Sequence, residues 1–68
     1  MRIRSVVDLD LDEVSPTAIK AAHEYLVDNL EVQADHAREA IDWATFARYQ
    51  KKTRKGTLRI VAFAKTVR

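Results

Sequence analysis

A chain of 68 residues without a cysteine cannot be stapled, and this constrains its fold more than any other feature. Domains this small bury little apolar surface, and secreted ones usually rely on disulfides or a metal. Neither a disulfide framework nor a thiolate metal site can be built here. Stability has to come from one hydrophobic core, helped by a second copy of the chain, and a reducing cytoplasm is the expected setting. An apolar share of 47% is that of a globular chain, not of a disordered tail. The length allows one domain, residues 1–68, and is too short for a dinucleotide-binding unit or a barrel. No run of ~18 apolar residues is present, so no membrane association is expected. The opening Met1-Arg2-Ile3-Arg4 lacks the apolar core of a signal peptide.

The formal net charge of +2 conceals a polarised chain. Residues 1–35 hold three Lys or Arg against eight Asp or Glu, and residues 36–68 hold nine against two. No acid follows Asp42, whereas Arg48, Lys51, Lys52, Arg54, Lys55, Arg59, Lys65 and Arg68 are all basic. Such asymmetry between halves points to nucleic acid, a membrane surface or an acidic partner, or to mutual neutralisation within the fold.

Residues 2–11 alternate as a strand, with Ile3, Ser5, Val7, Leu9 and Leu11 on one face and Arg2, Arg4, Val6, Asp8 and Asp10 on the other. Ser15-Pro16 then reads as a helix start. The serine hydroxyl can accept from a free backbone N–H, and proline needs none at the first helical position. Val14 and Ile19 have the spacing of a hydrophobic staple, and Ile19, Ala22, His23, Leu26 and Leu30 form an apolar stripe. Asn29 to Ala34 reads as a break, with Leu30 to Gln33 a turn or short strand and Asp35 capping a second helix.

That second helix is expected from about Asp35 to between Gln50 and Lys55, with Gly56 just past its end. At 100° per residue Ala37, Ala40, Ile41, Trp43, Ala44, Phe46 and Ala47 cover an arc of about 220°. An arc so wide asks for a second surface, and Trp43, Phe46, Ala40 and Ala47 are the expected interface of a homodimer. Thr57 to Val67 reads as a second strand, apolar on both faces. The expected fold is α+β, a β-α-α-β domain with terminal antiparallel strands. Two strands alone are marginal in water, so a homodimer would complete the sheet.

Little chemistry fits. Asp8, Asp10 and Asp12 would point the same way in an extended chain and offer hard oxygens, yet Glu13 and Ile19 stand where a calcium loop needs Gly and Glu. The run reads as a solvated strand exit, its acids favourable near the following helix N-terminus. His23 on the apolar stripe reads as a packed residue. His36 and Glu39 lack a third ligand, neither Ser5 nor Ser15 sits in a nucleophile elbow, and one glycine cannot build a phosphate loop. No metal, cofactor or enzymatic activity is expected.

Binding remains. Arg48, Lys51, Lys52, Arg54, Lys55 and Arg59, with no acid among them, are the expected contacts of a small regulatory module to the phosphates of DNA or RNA. Tyr49 or Phe46, if exposed, would stack on unpaired bases. The order strand–helix–helix with an outward Arg2, Arg4 and Val6 resembles the ribbon-helix-helix repressors over residues 2–50. That resemblance implies paired N-terminal strands reading the DNA major groove through those three residues. The family's glycine-containing turn is replaced by Asn29 to Ala34, and the C-terminal strand is extra. The alternative is a protein-interaction module (an adaptor, antitoxin-like regulator or host-factor inhibitor) using Trp43 and Phe46, its basic end steering toward an acidic protein.

Overall fold

In a computed structural model, which describes residues 1–67, the chain folds as strand, helix, strand, strand. Strand β1 (Arg2–Asp10) leads through a 3-10 turn at Leu11–Glu13 into helix α1 (Pro16–Ala37), followed by β2 (Ala40–Lys52) and β3 (Thr57–Val67). The sheet order is β1-β3-β2, antiparallel throughout. The fold is α+β, and its two terminal strands pair antiparallel as the alternation suggested. The second helix is not present: residues expected to continue it finish α1 and then form β2. The third strand therefore comes from the same chain, and the ribbon-helix-helix element order does not hold.

Helix α1 starts as read. Ser15 is extended at φ −148° and ψ 162°, its Oγ accepts from the Ala18 N–H at 3.1 Å, and Pro16 follows. The expected break at Asn29 to Ala34 is instead helix interior. Leu30 and Ala34 extend the buried stripe of Ala22 and Leu26 at every fourth residue. Asn29, which suggested a helix end, accepts a hydrogen bond from Gln33 Nε2 one turn on, and the same Nε2 donates to the Arg4 carbonyl. The true end is at Arg38, in the left-handed region at φ 55°. Its N–H donates to the Asp35 carbonyl and that of Glu39 to the Ala34 carbonyl, the paired bonds of a Schellman motif.

Strand β2 escaped a period-two reading because it is bulged. Asp42 lies opposite Lys65 and Ala47 opposite Phe63, so four residues on β2 face the single Ala64 on β3. Ile41 and Phe46 consequently both pack toward the core although they are five residues apart. The bulge is tied internally. Asp42 Oδ1 accepts from the Ala44 N–H, Thr45 Oγ1 donates to the Asp42 carbonyl, and the same hydroxyl accepts the Lys65 N–H at 2.8 Å. The β-branched and aromatic content of Ile41, Trp43, Thr45, Phe46 and Tyr49 suits a pleated surface.

The core lies between α1 and one face of the sheet. Leu26, Leu30 and Ile60 are fully enclosed, with Ile3, Ala22, Ala34, Leu58 and Ala62 around them. Small residues at Ala22, Ala34, Ser5 and Ala62 let the helix approach closely. Leu11, expected on this face, is exposed because the strand ends before it. Helix α1 packs chiefly over β1, leaving the far half of β2 uncovered. A 13-residue strand spans roughly 43 Å, close to the molecule's longest dimension of 41 Å. The radius of gyration is 12.9 Å, against about 11 Å for a compact domain of this length. The β2–β3 hairpin is thus a long arm of the sheet, flanked by β1 along β3 up to the turn, where the Leu11 N–H donates to the Gly56 carbonyl.

Candidate functional site

The cations expected at a helix end belong to this arm. Lys51 and Lys52 close β2, Arg54 and Lys55 lie in the turn, and Arg59 follows on β3. Gly56, expected as a helix terminator, shapes that turn at φ +82°. Thr53 organises it: its carbonyl accepts from the Gly56 N–H, and its hydroxyl accepts from the N–H groups of Lys55 and Thr57. The cationic tip is therefore a hydrogen-bonded turn in place of a fraying helix end.

Pairing in β3 dictates where each charge points. Lys51 lies opposite Arg59, and Arg59 opposite Asp8, so the three stand in one row across the sheet. The Arg59 guanidinium holds Asp8 in a two-pronged ion pair, Nε to Oδ1 at 2.9 Å and Nη2 to Oδ2 at 3.1 Å. This contact depresses the Asp8 carboxyl below its ordinary range and raises the Arg59 guanidinium further. Part of the Arg59 charge is thereby used. No carboxylate lies within ion-pair distance of Lys51, Lys52, Arg54 or Lys55 among the described residues. Arg48 faces the helix side, opposite Ala62, and its charge acts on His23. Burial first, and Arg48 second, hold the His23 imidazole below its ordinary pKa.

On the face of the sheet away from α1, a second feature adjoins the arm. Phe63 has Arg4 on one side and Ala47 on the other, and the next row is Val6, Val61 and Tyr49. Val61 is only 3% exposed although no helix covers it, because its neighbours close over it. Tyr49 is 48% exposed and meets Phe63 edge-on, with ring centroids 6.3 Å apart. The Arg2 guanidinium sits 4.7 Å from the Phe63 centroid. Arg2, Arg4, Tyr49, Val61 and Phe63 line a depression of about 380 Å³ that contains no acid. Arg2, Arg4 and Val6 do lie outward, as the sequence implied, but β1 is paired to β3 of its own chain. Phe63 was missed as a site residue; its signal was the apolar outer face of β3.

The expected interface residues separate. Phe46 packs partly into the core, whereas Trp43, 49% exposed, stands in the bulge with its ring 5.7 Å from that of Phe46. Ala40 is exposed at the start of β2, and Ala47 lies on the open face opposite Phe63. The four do not form the single helical stripe that was expected. Trp43 borders a hollow of about 200 Å³ flanked by Glu31, Asp35 and Glu39. This corner is acidic, not basic. Helix α1 also carries Glu24 and Asp28 outward, whereas Arg48 and Lys52 lie on the helix side of the sheet.

The acidic run does not act as one group. Asp8 is engaged with Arg59, and Asp12 leaves the strand alternation within the 3-10 turn. Among the described residues no three His, Asp or Glu side chains gather as a metal site. Nor is any described helix long and apolar enough to cross a membrane. Comparison with protein-family models, curated proteins and solved structures finds no significant match.

Proposed function

We propose that this chain is a small non-enzymatic nucleic-acid-binding module whose β2–β3 arm supplies the phosphate contacts. One observation supports the reading: Lys51, Lys52, Arg54 and Lys55 are exposed together at the hydrogen-bonded end of the hairpin and form no ion pair among the described residues. Lysines on an edge strand also guard against aggregation, a role open to Lys51 and Lys52 of β2. Arg54 and Lys55 lie in the turn, off the strand. A polyanion with regularly spaced charges satisfies such an arm, and binding then releases condensed counterions.

The test is a fluorescence-anisotropy titration of labelled oligonucleotides at several salt concentrations. With four phosphates engaged, log K should fall against log salt with a slope of about −3 on single strands. Lys51→Glu/Lys52→Glu/Arg54→Glu should abolish binding while leaving the fold intact, because all three side chains are exposed. Absence of binding at low salt, or full binding by the triple variant, overturns the proposal.

A second reading has its own observation, the exposed Trp43 beside an acidic hollow. It is a protein-interaction surface, and its chemistry suits a cationic partner better than an acidic one. A second copy of this chain, offering its cationic arm, has that chemistry. Concentration-dependent sedimentation that Trp43→Ala abolishes would support it, and a monomer at all concentrations would remove it.

A further inference from the structure

Resting on the nucleic-acid reading above, we infer that the open face of the sheet receives unpaired bases, so that the ligand class is single-stranded nucleic acid. The cationic arm alone does not discriminate. Exposed cations at the end of a sheet can equally contact the phosphates of a duplex. Discrimination comes from the face beside it.

Three features of that face favour planar rings. Tyr49 offers its ring to solvent in a fixed attitude, set by the edge-on contact with Phe63 and by the closed cover over Val61. Arg2 holds its exposed guanidinium 4.7 Å from the Phe63 centroid, a planar cation on which a base can stack. The depression between them is lined by two arginines and no carboxylate, so a phosphate backbone entering it meets two cations. The rows on either side add Lys51 and Lys65. Of the two acids nearest in register, Asp8 is ion-paired with Arg59, and Asp42 accepts the Ala44 N–H and lies opposite Lys65. An isolated aromatic patch would suit many partners. An aromatic patch bordered by Arg2, Arg4, Lys51 and Lys65, and continuous with a cationic arm, matches a chain that alternates bases with phosphates. Duplex bases are stacked inside the helix and cannot reach a face backed by α1.

The experiment compares four fluorescein-labelled ligands at one low salt concentration: twelve-residue oligo(dT), oligo(rU), an abasic oligonucleotide of equal length and a twelve-pair duplex. The abasic strand keeps the phosphates and removes the rings. Stacking of one base on Tyr49 should make oligo(dT) and oligo(rU) bind about 5- to 150-fold more tightly than the abasic strand. Tyr49→Leu keeps an apolar cover over Val61 and should lower their affinity most of the way toward the abasic level. Tyr49→Phe should retain it, and neither change should alter binding of the abasic strand. Arg2→Lys keeps the charge but loses the plane, and should weaken the based strands alone. Equal affinity for based and abasic strands, tighter binding of the duplex, or indifference to Tyr49→Leu would overturn this inference while leaving the phosphate-binding arm in place. No binding of any of the four ligands would overturn both.

Discussion

Truncating Leu30 to alanine isolates the packing on which the sheet depends. Leu30 is fully enclosed on α1, in one cluster with Leu26, Ala34, Ile3 and Ala62. Three of these neighbours are themselves small or lie on rigid strands, so they cannot close the space left behind. Leu→Ala at such sites costs about 2–5 kcal/mol. A chain of this length has roughly 3–10 kcal/mol in all, so the substitution removes about a fifth of the total or more. With a urea dependence near ~1 kcal/mol per molar, the midpoint should fall by about 3 M. The thermal midpoint should fall by at least ~8 °C. Circular dichroism at 222 nm reads both. Val32→Ala is the control: two residues further along the same helix and half exposed, it should change stability by less than ~0.5 kcal/mol. Were residues 29 to 34 a surface turn, the two substitutions would cost alike. Leu30→Ala within ~1 kcal/mol of the parent would refute the continuous helix and the core built on it.

Further outcomes follow from single contacts. Arg38 occupies the left-handed region without being glycine, so Arg38→Gly should stabilise the fold by roughly 0.5–1 kcal/mol; a lower melting temperature would contradict the assignment of strain there. The His23 imidazole is held below its ordinary value of 6.5 by burial and by Arg48, so the unfolded chain binds the proton more readily than the folded one. Stability should therefore decline as pH falls through 6.5, and His23→Gln should flatten melting curves recorded between pH 7 and 5.5; an unchanged slope would exclude His23 as the cause. The Asp8 carboxyl is depressed by Arg59, so its contribution persists above pH 3.8 and is lost only in more acid solution. Asp8→Asn should leave the pH 5.5 to 7 window unaltered, as melting curves of that variant would check.

Local signals in the sequence carried β1, the start of α1 and β3, because each declares itself within a few residues. The alternation from Ile3 to Leu9, the Ser15-Pro16 pair and the run from Leu58 to Ala64 need no distant partner to be read. The second half of α1 was hidden by Asn29, whose side chain is satisfied within the helix by Gln33, and by an αL cap in which Arg38 stands where glycine is usual. Strand β2 was hidden by its bulge. Residues inserted between Asp42 and Ala47 move Phe46 to the face that Ile41 occupies, and the resulting spacing imitates a helical stripe. The cations of the candidate site were visible as an acid-free stretch, but the arm that displays them was not. The meeting of Arg2, Tyr49 and Phe63 depends on β3 lying between β1 and β2, a pairing set by contacts far apart in the chain.

The most direct test of the central claim is a two-dimensional ¹H–¹⁵N NMR titration of the labelled protein with twelve-residue oligo(dT) at low salt. The account expects progressive shifts in the amides of residues 51–55 and in those of Tyr49, Arg59, Val61 and Phe63. Glu24, Asp28 and Glu31 on the outer side of α1 should stay in place. Shifts confined to α1 and Trp43, or a spectrum unmoved at millimolar oligonucleotide, would contradict it.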